Sequence, residues 1–143
     1  MVTSGGVARN RKATILLVED EALVRMNTAE ELRTRGFEVL EAADGAAAMA
    51  LLKASPEIDL VFADLIIPGE PDGLELARWI RSQRPSLPVI LTSGTVFQSV
   101  PANVAKAVTE LLNQPFVAKP YDIAEIVERM RELLGGKPLT RGA

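Results

Sequence analysis

Five short apolar runs alternate along the chain with longer segments in which apolar residues recur at helical spacing. A continuous apolar run is typical of a strand that is buried on both faces, and the longer recurrence is typical of an amphipathic helix. The predicted strands are residues 13–18, 37–40, 58–63, a fourth that opens over residues 88–91, and 116–118. The predicted helices are residues 21–35, 44–55, 72–84, 99–112 and 122–134. Strict alternation predicts an α/β fold, a doubly wound sheet of five parallel strands in the order 2-1-3-4-5.

Acidic residues at three predicted helix starts support these boundaries. Asp44 is placed to cap the second helix, because its side chain can accept a hydrogen bond from a first-turn N–H group. Asp72 with Glu75, and Asp122 with Glu125, have the spacing of a capping box, in which two side chains reciprocally bond the backbone of the first turn. We therefore expect the third and fifth helices to begin beside Asp72 and Asp122.

Length and composition indicate one domain. The chain has 143 residues, the size of a single compact unit. Hydrophobic residues make up 48% of it, which excludes global disorder. We expect a disordered leader over residues 1–12, the domain over residues 13–134 and a flexible tail over residues 135–143.

The chain contains neither cysteine nor histidine. Disulfides, thiolate metal sites and mechanisms based on Cys or His are therefore excluded. The net charge of −3 disfavours direct DNA binding, for which a basic excess is usual. No apolar run is long enough to span a bilayer, so we expect a cytoplasmic protein with no membrane association.

Chemically active side chains follow four of the five predicted strands. They are Glu19 and Asp20 after strand 1, Asp64 after strand 3, Thr92 and Ser93 at the end of strand 4, and Lys119 after strand 5. In a doubly wound sheet, ligands bind at the carboxyl ends of the strands, where the strand order reverses. The function should therefore be sought at this edge.

Strands 1 and 3 are neighbours in the predicted order, so Glu19, Asp20 and Asp64 should converge. Like charges repel by roughly 4 kcal/mol per pair at about 4 Å and an effective dielectric constant near 20. Lys119 supplies one positive charge, and a divalent cation would balance the remainder; carboxylate oxygens suit Mg²⁺. The alternative for Glu19 and Asp20 is a purely structural one, in which they cap the first helix.

The sequence resembles the receiver domain of bacterial two-component response regulators from about Ala13 to Leu134. The matching stretches are residues 15–21 (ILLVEDE), 64–68, 72–73, 88–94 (PVILTSG) and 116–120 (FVAKP). The resemblance implies the flavodoxin-like (βα)5 receiver fold. It implies a protein that accepts a phosphoryl group and assists its own phosphorylation and dephosphorylation, not an enzyme that turns over a metabolite.

The resemblance also implies a Mg²⁺ site, which Mn²⁺ could fill. Asp20 looks like a direct ligand, Glu19 like an acid that holds the ion through water, and Asp64 like a further ligand. The backbone carbonyl of Ile66 would complete the protein's share of the ligands.

The phosphoryl chemistry implied by the family falls on three side chains. Asp64 looks like the phosphoacceptor and Lys119 like the contact to a phosphoryl oxygen. Ser93, rather than the neighbouring Thr92, falls on the switch hydroxyl, counting back from Gly94.

Other positions fall where receivers of this family adjust the response. Thr95 and Ile66 lie two residues beyond Ser93 and Asp64, and in the family such positions tune dephosphorylation. Phe116 stands at the aromatic switch position, where Phe offers no hydrogen bond. Tyr121 is expected to pack near strand 5.

By the same resemblance, the phosphodonor is a sensor histidine kinase or a histidine phosphotransfer protein. The nine residues after Leu134 leave no room for an output domain, so we expect the phosphorylated state to act on a downstream protein. A homodimer through helix 4, strand 5 and helix 5 stays open, as does excision from a larger protein.

Three other functions compete with that of a working receiver. The first is a degenerate receiver that is never phosphorylated and acts as a protein-interaction module. An aspartyl-phosphate phosphatase would need a second Asp two residues after the nucleophile, where this chain has Ile66. A nucleotide- or flavin-binding module would need a Gly-rich or hydroxyl-rich loop after strand 1, where this chain is acidic.

Overall fold

The computed structural model describes residues 11–93, 102–113 and 117–135. Within these ranges, five strands and five helices alternate. The strands are β1 (Thr14–Val18), β2 (Glu38–Ala42), β3 (Ile58–Asp64), β4 (Val89–Ser93) and β5 (Val117–Ala118). The helices are α1 (Ala22–Thr34), α2 (Gly45–Ala54), α3 (Gly73–Gln83), α4 (Ala102–Leu112) and α5 (Ile123–Leu133).

The strands form one parallel sheet in the order β2-β1-β3-β4-β5, which confirms the predicted α/β fold and strand order. The order reverses between β1 and β3, because the chain leaves β1 toward β2 and returns on the other side. Val18 of β1 pairs with Ala63 of β3. The next residues along each strand, Glu19 and Asp64, are therefore brought to the same point of the carboxyl edge.

Helices cover both faces of the sheet. In β1, Leu16 and Val18 join a buried cluster with residues of α2, α3 and α4, whereas Ile15 and Leu17 join a second one with residues of α1 and α5. Every residue of β1 is buried, which explains its unbroken apolar run. Burying each such aliphatic side chain contributes about 1.5–3 kcal/mol. Within the described residues, none of the helices is long and apolar enough to cross a membrane.

Strand β2 runs farther than the predicted residues 37–40, because its polar end has partners of its own. Glu41 lies opposite Leu17 in the ladder between β1 and β2. Its carboxylate accepts hydrogen bonds from Arg25 at 3.3 Å and from Arg33 at 3.2 Å. These ion pairs let a charged residue continue the strand where hydrophobic patterning indicated its end.

Strand β4 ends at Ser93 and so includes both hydroxyl residues that the sequence places at the end of strand 4. Its ladder with β5 pairs Ser93 with Ala118, so the hydroxyl residues lie inside the sheet. The predicted start of the fourth helix, near residue 99, lies outside the described residues.

The predicted caps form, with one difference in detail. Asp44 accepts a hydrogen bond from the Ala47 N–H at 2.8 Å, and Asp72 forms the reciprocal capping box with Glu75. Asp122 caps α5 through the N–H of Ala124 at 2.9 Å, one residue earlier than the capping box predicts. The cap at Asp122 therefore stands without the predicted bond to the third N–H.

The loop between β3 and α3 folds back closely on its own start. The N–H of Gly73 donates to the carbonyl of Leu65 at 3.2 Å, and a Cβ at position 73 would lie 2.2 Å from that oxygen. Only glycine permits this approach without displacing the backbone. The first turn of α3 is thus fixed against the residue that follows Asp64.

Arg84 joins the ends of two helices and a strand. Its guanidinium donates to the carbonyls of Leu52 (3.3 Å), Ser55 (3.5 Å), Pro56 (3.2 Å) and Ile58 (3.0 Å). Carbonyls at the end of a helix have no partner within it, and Arg84 supplies one for Leu52 in the last turn of α2 and bonds the C-cap residue Ser55 as well.

We expect Arg84→Lys to lower the free energy of unfolding by about 1–3 kcal/mol, because a lysine cannot donate to spaced carbonyls as a guanidinium does. Urea denaturation followed by circular dichroism measures the change. Arg81→Lys, at an exposed position of the same helix, is the matched control and should change stability little. Equal midpoints for the two variants would contradict this role for Arg84.

Candidate functional site

Three carboxylates meet at the carboxyl edge of the sheet. One oxygen from each of Glu19, Asp20 and Asp64 lies within 4.8 Å of the other two. Glu19 and Asp64 are 5% and 8% exposed, whereas Asp20 faces solvent. Two of the three negative charges are therefore held where water stabilises them poorly.

Lys119 follows β5 at the edge of the sheet, and its side chain reaches this group past β4. Its Nζ donates to Glu19 Oε1 at 2.8 Å and to Asp64 Oδ2 at 3.0 Å. Its own N–H donates to the carbonyl of Ser93 at 2.9 Å, which continues the ladder between β4 and β5. The ammonium thus bridges side chains from β1 and β3.

Burial and pairing act in opposite directions on these groups. Burial raises the pKa of Asp64 above its ordinary value, although the hydrogen bond from Lys119 opposes the rise. For Lys119, burial alone would lower the pKa, but its bonds to Glu19 and Asp64 outweigh that effect and the pKa is raised. The ammonium therefore stays charged, and added positive charge would favour the ionised form of Asp64.

The acidic residues are also bonded to nearby backbone. Glu19 Oε2 accepts from the Glu21 N–H at 3.1 Å, and Asp64 Oδ1 accepts from the Ile66 N–H at 3.4 Å. The N-cap of α1 is Glu21, which caps without a side-chain bond. The alternative in which Glu19 or Asp20 is itself the N-cap residue is therefore not the arrangement found.

The hydroxyl of Ser93 has no hydrogen-bond partner among the described residues. The residue is 0% exposed, and within the described part of the chain its Oγ makes no hydrogen bond. Thr92 is buried beside it, and its carbonyl accepts from the Leu65 N–H at 2.8 Å. Thr95 and Phe116, the other predicted switch and tuning positions, lie outside the described residues.

Arg25 belongs to the surroundings of the acidic group, and sequence reasoning did not find it. Its Nη1 donates to the carbonyl of Glu19 at 2.9 Å while its Nε bonds Glu41. The guanidinium thereby fixes the backbone at the end of β1. No linear spacing signals this contact, because Glu41 and Arg25 meet only once β2 pairs with β1.

The donor set fits a divalent cation of hard character. All three side chains offer carboxylate oxygens, and Asp20 is open to solvent. Three carboxylates against the one ammonium of Lys119 leave a charge of about −2 if all are ionised. Mg²⁺ takes such ligands and retains several waters.

Comparison with known proteins gives a consistent picture. The response regulator receiver domain family matches residues 15–131. Among curated relatives, the sensor kinase CckA of Brucella abortus is 33% identical over 85% of this chain and 12% of its own length. The probable transcriptional regulatory protein TcrX of Mycobacterium tuberculosis is 32% identical over 89% of this chain and 52% of its own length. The chain thus spans about half, or less, of these relatives.

A solved structure shows the same architecture. The response regulator receiver protein from Sinorhizobium medicae is 30% identical to this chain and superposes with a TM-score of 0.74. The superposition covers 87% of this chain and 95% of that one.

We expect Ser93→Ala to raise the free energy of unfolding by roughly 1 kcal/mol in the absence of ligands, because it removes a buried hydroxyl that has no partner within the ranges 11–93, 102–113 and 117–135. Chemical denaturation measures the change. Thr92→Val is the control. It deletes the adjacent buried hydroxyl, which is not among the buried polar groups without a hydrogen-bond partner, and should not stabilise the fold. A less stable Ser93→Ala variant would show that Oγ has a partner in solution.

Proposed function

The chain belongs to the response regulator receiver domain family, and from that premise we propose that it accepts a phosphoryl group on Asp64 and signals by the change that follows. The observation that carries the proposal is the contact of 3.0 Å between Lys119 Nζ and Asp64 Oδ2 inside an acidic group. A buried carboxylate of this kind is a competent nucleophile when a fixed cation stands beside the phosphoryl oxygens. The family is one of signalling domains, not of metabolic enzymes.

In the proposed reaction, an oxygen of Asp64 attacks the phosphorus of a phosphohistidine on a partner protein. The new bond joins that oxygen to phosphorus, the bond from phosphorus to the donor nitrogen breaks, and the nitrogen keeps the electron pair. Such a transfer needs in-line positioning and charge stabilisation more than covalent help from the protein. Lys119 would then pair with a phosphoryl oxygen in exchange for its contact to Asp64.

Glu19, Asp20 and Asp64, with the backbone carbonyl of Ile66, would hold Mg²⁺ or Mn²⁺. When bound, the ion supplies positive charge that offsets the charge on the phosphoryl oxygens. Support for this assignment comes from the three converging carboxylates and from their pairing with a single ammonium, that of Lys119, among the residues that the structure describes.

The buried hydroxyl of Ser93 suggests how the phosphorylated state would be read. A phosphoryl oxygen would give this hydroxyl a partner, which the described part of the chain does not provide, and the bond would favour a conformation in which Ser93 moves toward Asp64. The proposed partners are a sensor histidine kinase or a histidine phosphotransfer protein upstream and a protein target downstream. The competing function is an unphosphorylated receiver that serves as an interaction module.

Incubation with acetyl phosphate and Mg²⁺ should add one phosphoryl group to the protein. Intact-mass spectrometry measures the gain, and chelation of the metal should abolish it. The physical reason is that the carboxylate and the donor phosphate repel each other unless positive charge stands between them.

Asp64→Asn is the control, because it keeps the shape of the side chain and removes the nucleophile. No mass gain in the parent, with Mg²⁺ binding shown by calorimetry and a histidine phosphotransfer donor also tried, would favour the unphosphorylated module. Equal gain in the parent and in Asp64→Asn would place the acceptor elsewhere.

We expect Ile66→Asn to shorten the lifetime of the phosphoryl group several-fold. Ile66 is 56% exposed beside Asp64, and its side chain cannot orient an attacking water, whereas an amide can. The decay is followed by intact mass after the donor is removed. Ile66→Val, which stays apolar, should decay at the parental rate, and an unchanged decay in Ile66→Asn would contradict the idea.

A further inference from the structure

Arg25 turns a charged side chain toward the sheet in a part of α1 where apolar residues face water. Leu23 and Met26 are 82% and 58% exposed, whereas the side chain of Arg25 is 18% exposed. Hydrophobic burial would give the opposite distribution in the first turns of a helix. The polar contacts of Arg25 therefore stabilise this arrangement, and they lead to the acidic group.

The guanidinium of Arg25 has partners at the end of β1 and on β2. Its Nη1 donates to the carbonyl of Glu19 at 2.9 Å, and its Nε donates to Glu41 Oε1 at 3.3 Å. A planar guanidinium fixes the angle between two such bonds, which the ammonium of a lysine does not. Glu41 offsets the charge of Arg25, so the bond to Glu19 places a donor on the backbone of the acidic group.

The backbone of Glu19 determines where two of the three carboxylates point. Its N–H donates to the carbonyl of Ala42 at 3.0 Å, and its carbonyl accepts from Arg25. That carbonyl is coplanar with the N and Cα atoms of Asp20, because the peptide bond is planar. A rotation of this peptide unit would therefore displace Asp20, whose side chain faces solvent and is not fixed by burial.

Arg25 also takes the place of a side-chain cap at the start of α1. The N-cap residue, Glu21, makes no side-chain bond to the first turn, although such a bond is the usual way to fix a helix start. The backbone N–H of Arg25 donates to the carbonyl of Glu21 at 2.8 Å, and its side chain returns to the carbonyl of Glu19. Arg25 thus bonds the segment 19–21 at both of its ends.

We infer that Arg25 is a positioning residue for the divalent cation, because it holds the peptide unit between Glu19 and Asp20 in the orientation in which both carboxylates meet Asp64. Arginine offers no acceptor atom and is no ligand itself; it acts through the backbone of Glu19. The inference deepens the proposed function and rests on it for its consequence in phosphoryl transfer. The affinity for Mg²⁺ and the mobility of the segment 19–21 are measured without a phosphoryl donor.

Electrostatics alone predicts the opposite result when Arg25 is removed. Taking a positive charge away from the surroundings of three carboxylates favours the binding of a cation. Loss of positioning instead weakens binding, and partners that orient metal ligands commonly change metal affinity by about 10- to 100-fold. The sign of the change in Mg²⁺ affinity therefore separates the two roles.

The first test measures Mg²⁺ affinity by isothermal titration calorimetry. Arg25→Met, which removes the charge, and Arg25→Lys, which keeps it, should both bind Mg²⁺ about tenfold more weakly than the parent. Arg33→Lys is the matched control, because Arg33 lies on the same helix and bonds Glu41 and the carbonyl of Val39. It should keep the parental affinity, and urea midpoints check that every variant is folded.

Three results of this titration would overturn the inference. They are tighter binding by Arg25→Met, parental binding by Arg25→Lys, and a loss in Arg33→Lys equal to that in Arg25→Lys.

The second test follows amide hydrogen exchange in the metal-free protein by NMR. The N–H of Glu21, which donates to Glu19 Oε2 at 3.1 Å, should exchange several-fold faster in Arg25→Lys than in the parent, since exchange follows local opening. The N–H of Val61, which donates to the carbonyl of Pro88 at 3.0 Å, reports opening of the sheet and should keep its rate. Parental exchange at Glu21, or equal acceleration at both amides, would contradict a local role for Arg25.

The third test measures the rate of phosphorylation by acetyl phosphate at two concentrations of Mg²⁺. Well below the parental Kd for Mg²⁺, Arg25→Lys should react about tenfold more slowly, in proportion to its lower occupancy by the ion. At saturating Mg²⁺ it should approach the parental rate, because Arg25 acts on the ligands of the ion. A loss of the same size at both concentrations would refute action through the metal site.

These tests separate the two claims. A parent that binds Mg²⁺ but takes no phosphoryl group from any donor sinks the proposed function, while the affinities of Arg25→Lys and Arg33→Lys still decide the inference. A parent that is phosphorylated, with Arg25→Lys at the parental affinity, sinks the inference alone. A parent that binds neither Mg²⁺ nor Mn²⁺ sinks both.

Discussion

The ammonium of Lys119 offsets the repulsion between the carboxylates of the site. Glu19 and Asp64 come from neighbouring parallel strands, and the sheet leaves them no freedom to separate because Val18 and Ala63 pair just before them. Two buried carboxylates on neighbouring strands need a positive charge close to them. The chain provides one from the opposite end of the sequence, on an edge strand that reaches the acids across β4. The fold therefore sets the position of Lys119 Nζ, and the charges of the site require a positive group at that position.

Much of this arrangement could be read from the sequence because parallel sheets follow strong rules. Apolar runs located β1 and β3, alternation gave the strand order, and the order placed Glu19 beside Asp64. Hydrophobic patterning missed the end of a strand where a polar residue is stabilised by partners on another element. Glu41 continues β2 because Arg25 and Arg33 of α1 pair with its carboxylate. Hydrophobic periodicity carries no information about such ion pairs.

The contacts that hold the site in place were the hardest to foresee. Arg25 bonds the carbonyl of Glu19, and the proximity of these two residues depends on how α1 is rotated over the sheet. The sequence indicates that α1 is a helix, but its rotation is settled by packing against two strands and α5. The cap at Asp122 also differs from the prediction, because its side chain bonds the second N–H group of α5 instead of the third. An N-cap side chain can accept from either group, so packing decides between them.

The Arg84 fork lies at the amino edge of the sheet, where β3 begins, and thus at the far end of the strands from Asp64. One guanidinium thus gathers carbonyls of three segments at the amino edge, whereas β5, beside the site, has only two residues. A short edge strand opens more readily than the long central strands, so a surface beside β5 can change shape while the domain as a whole stays folded.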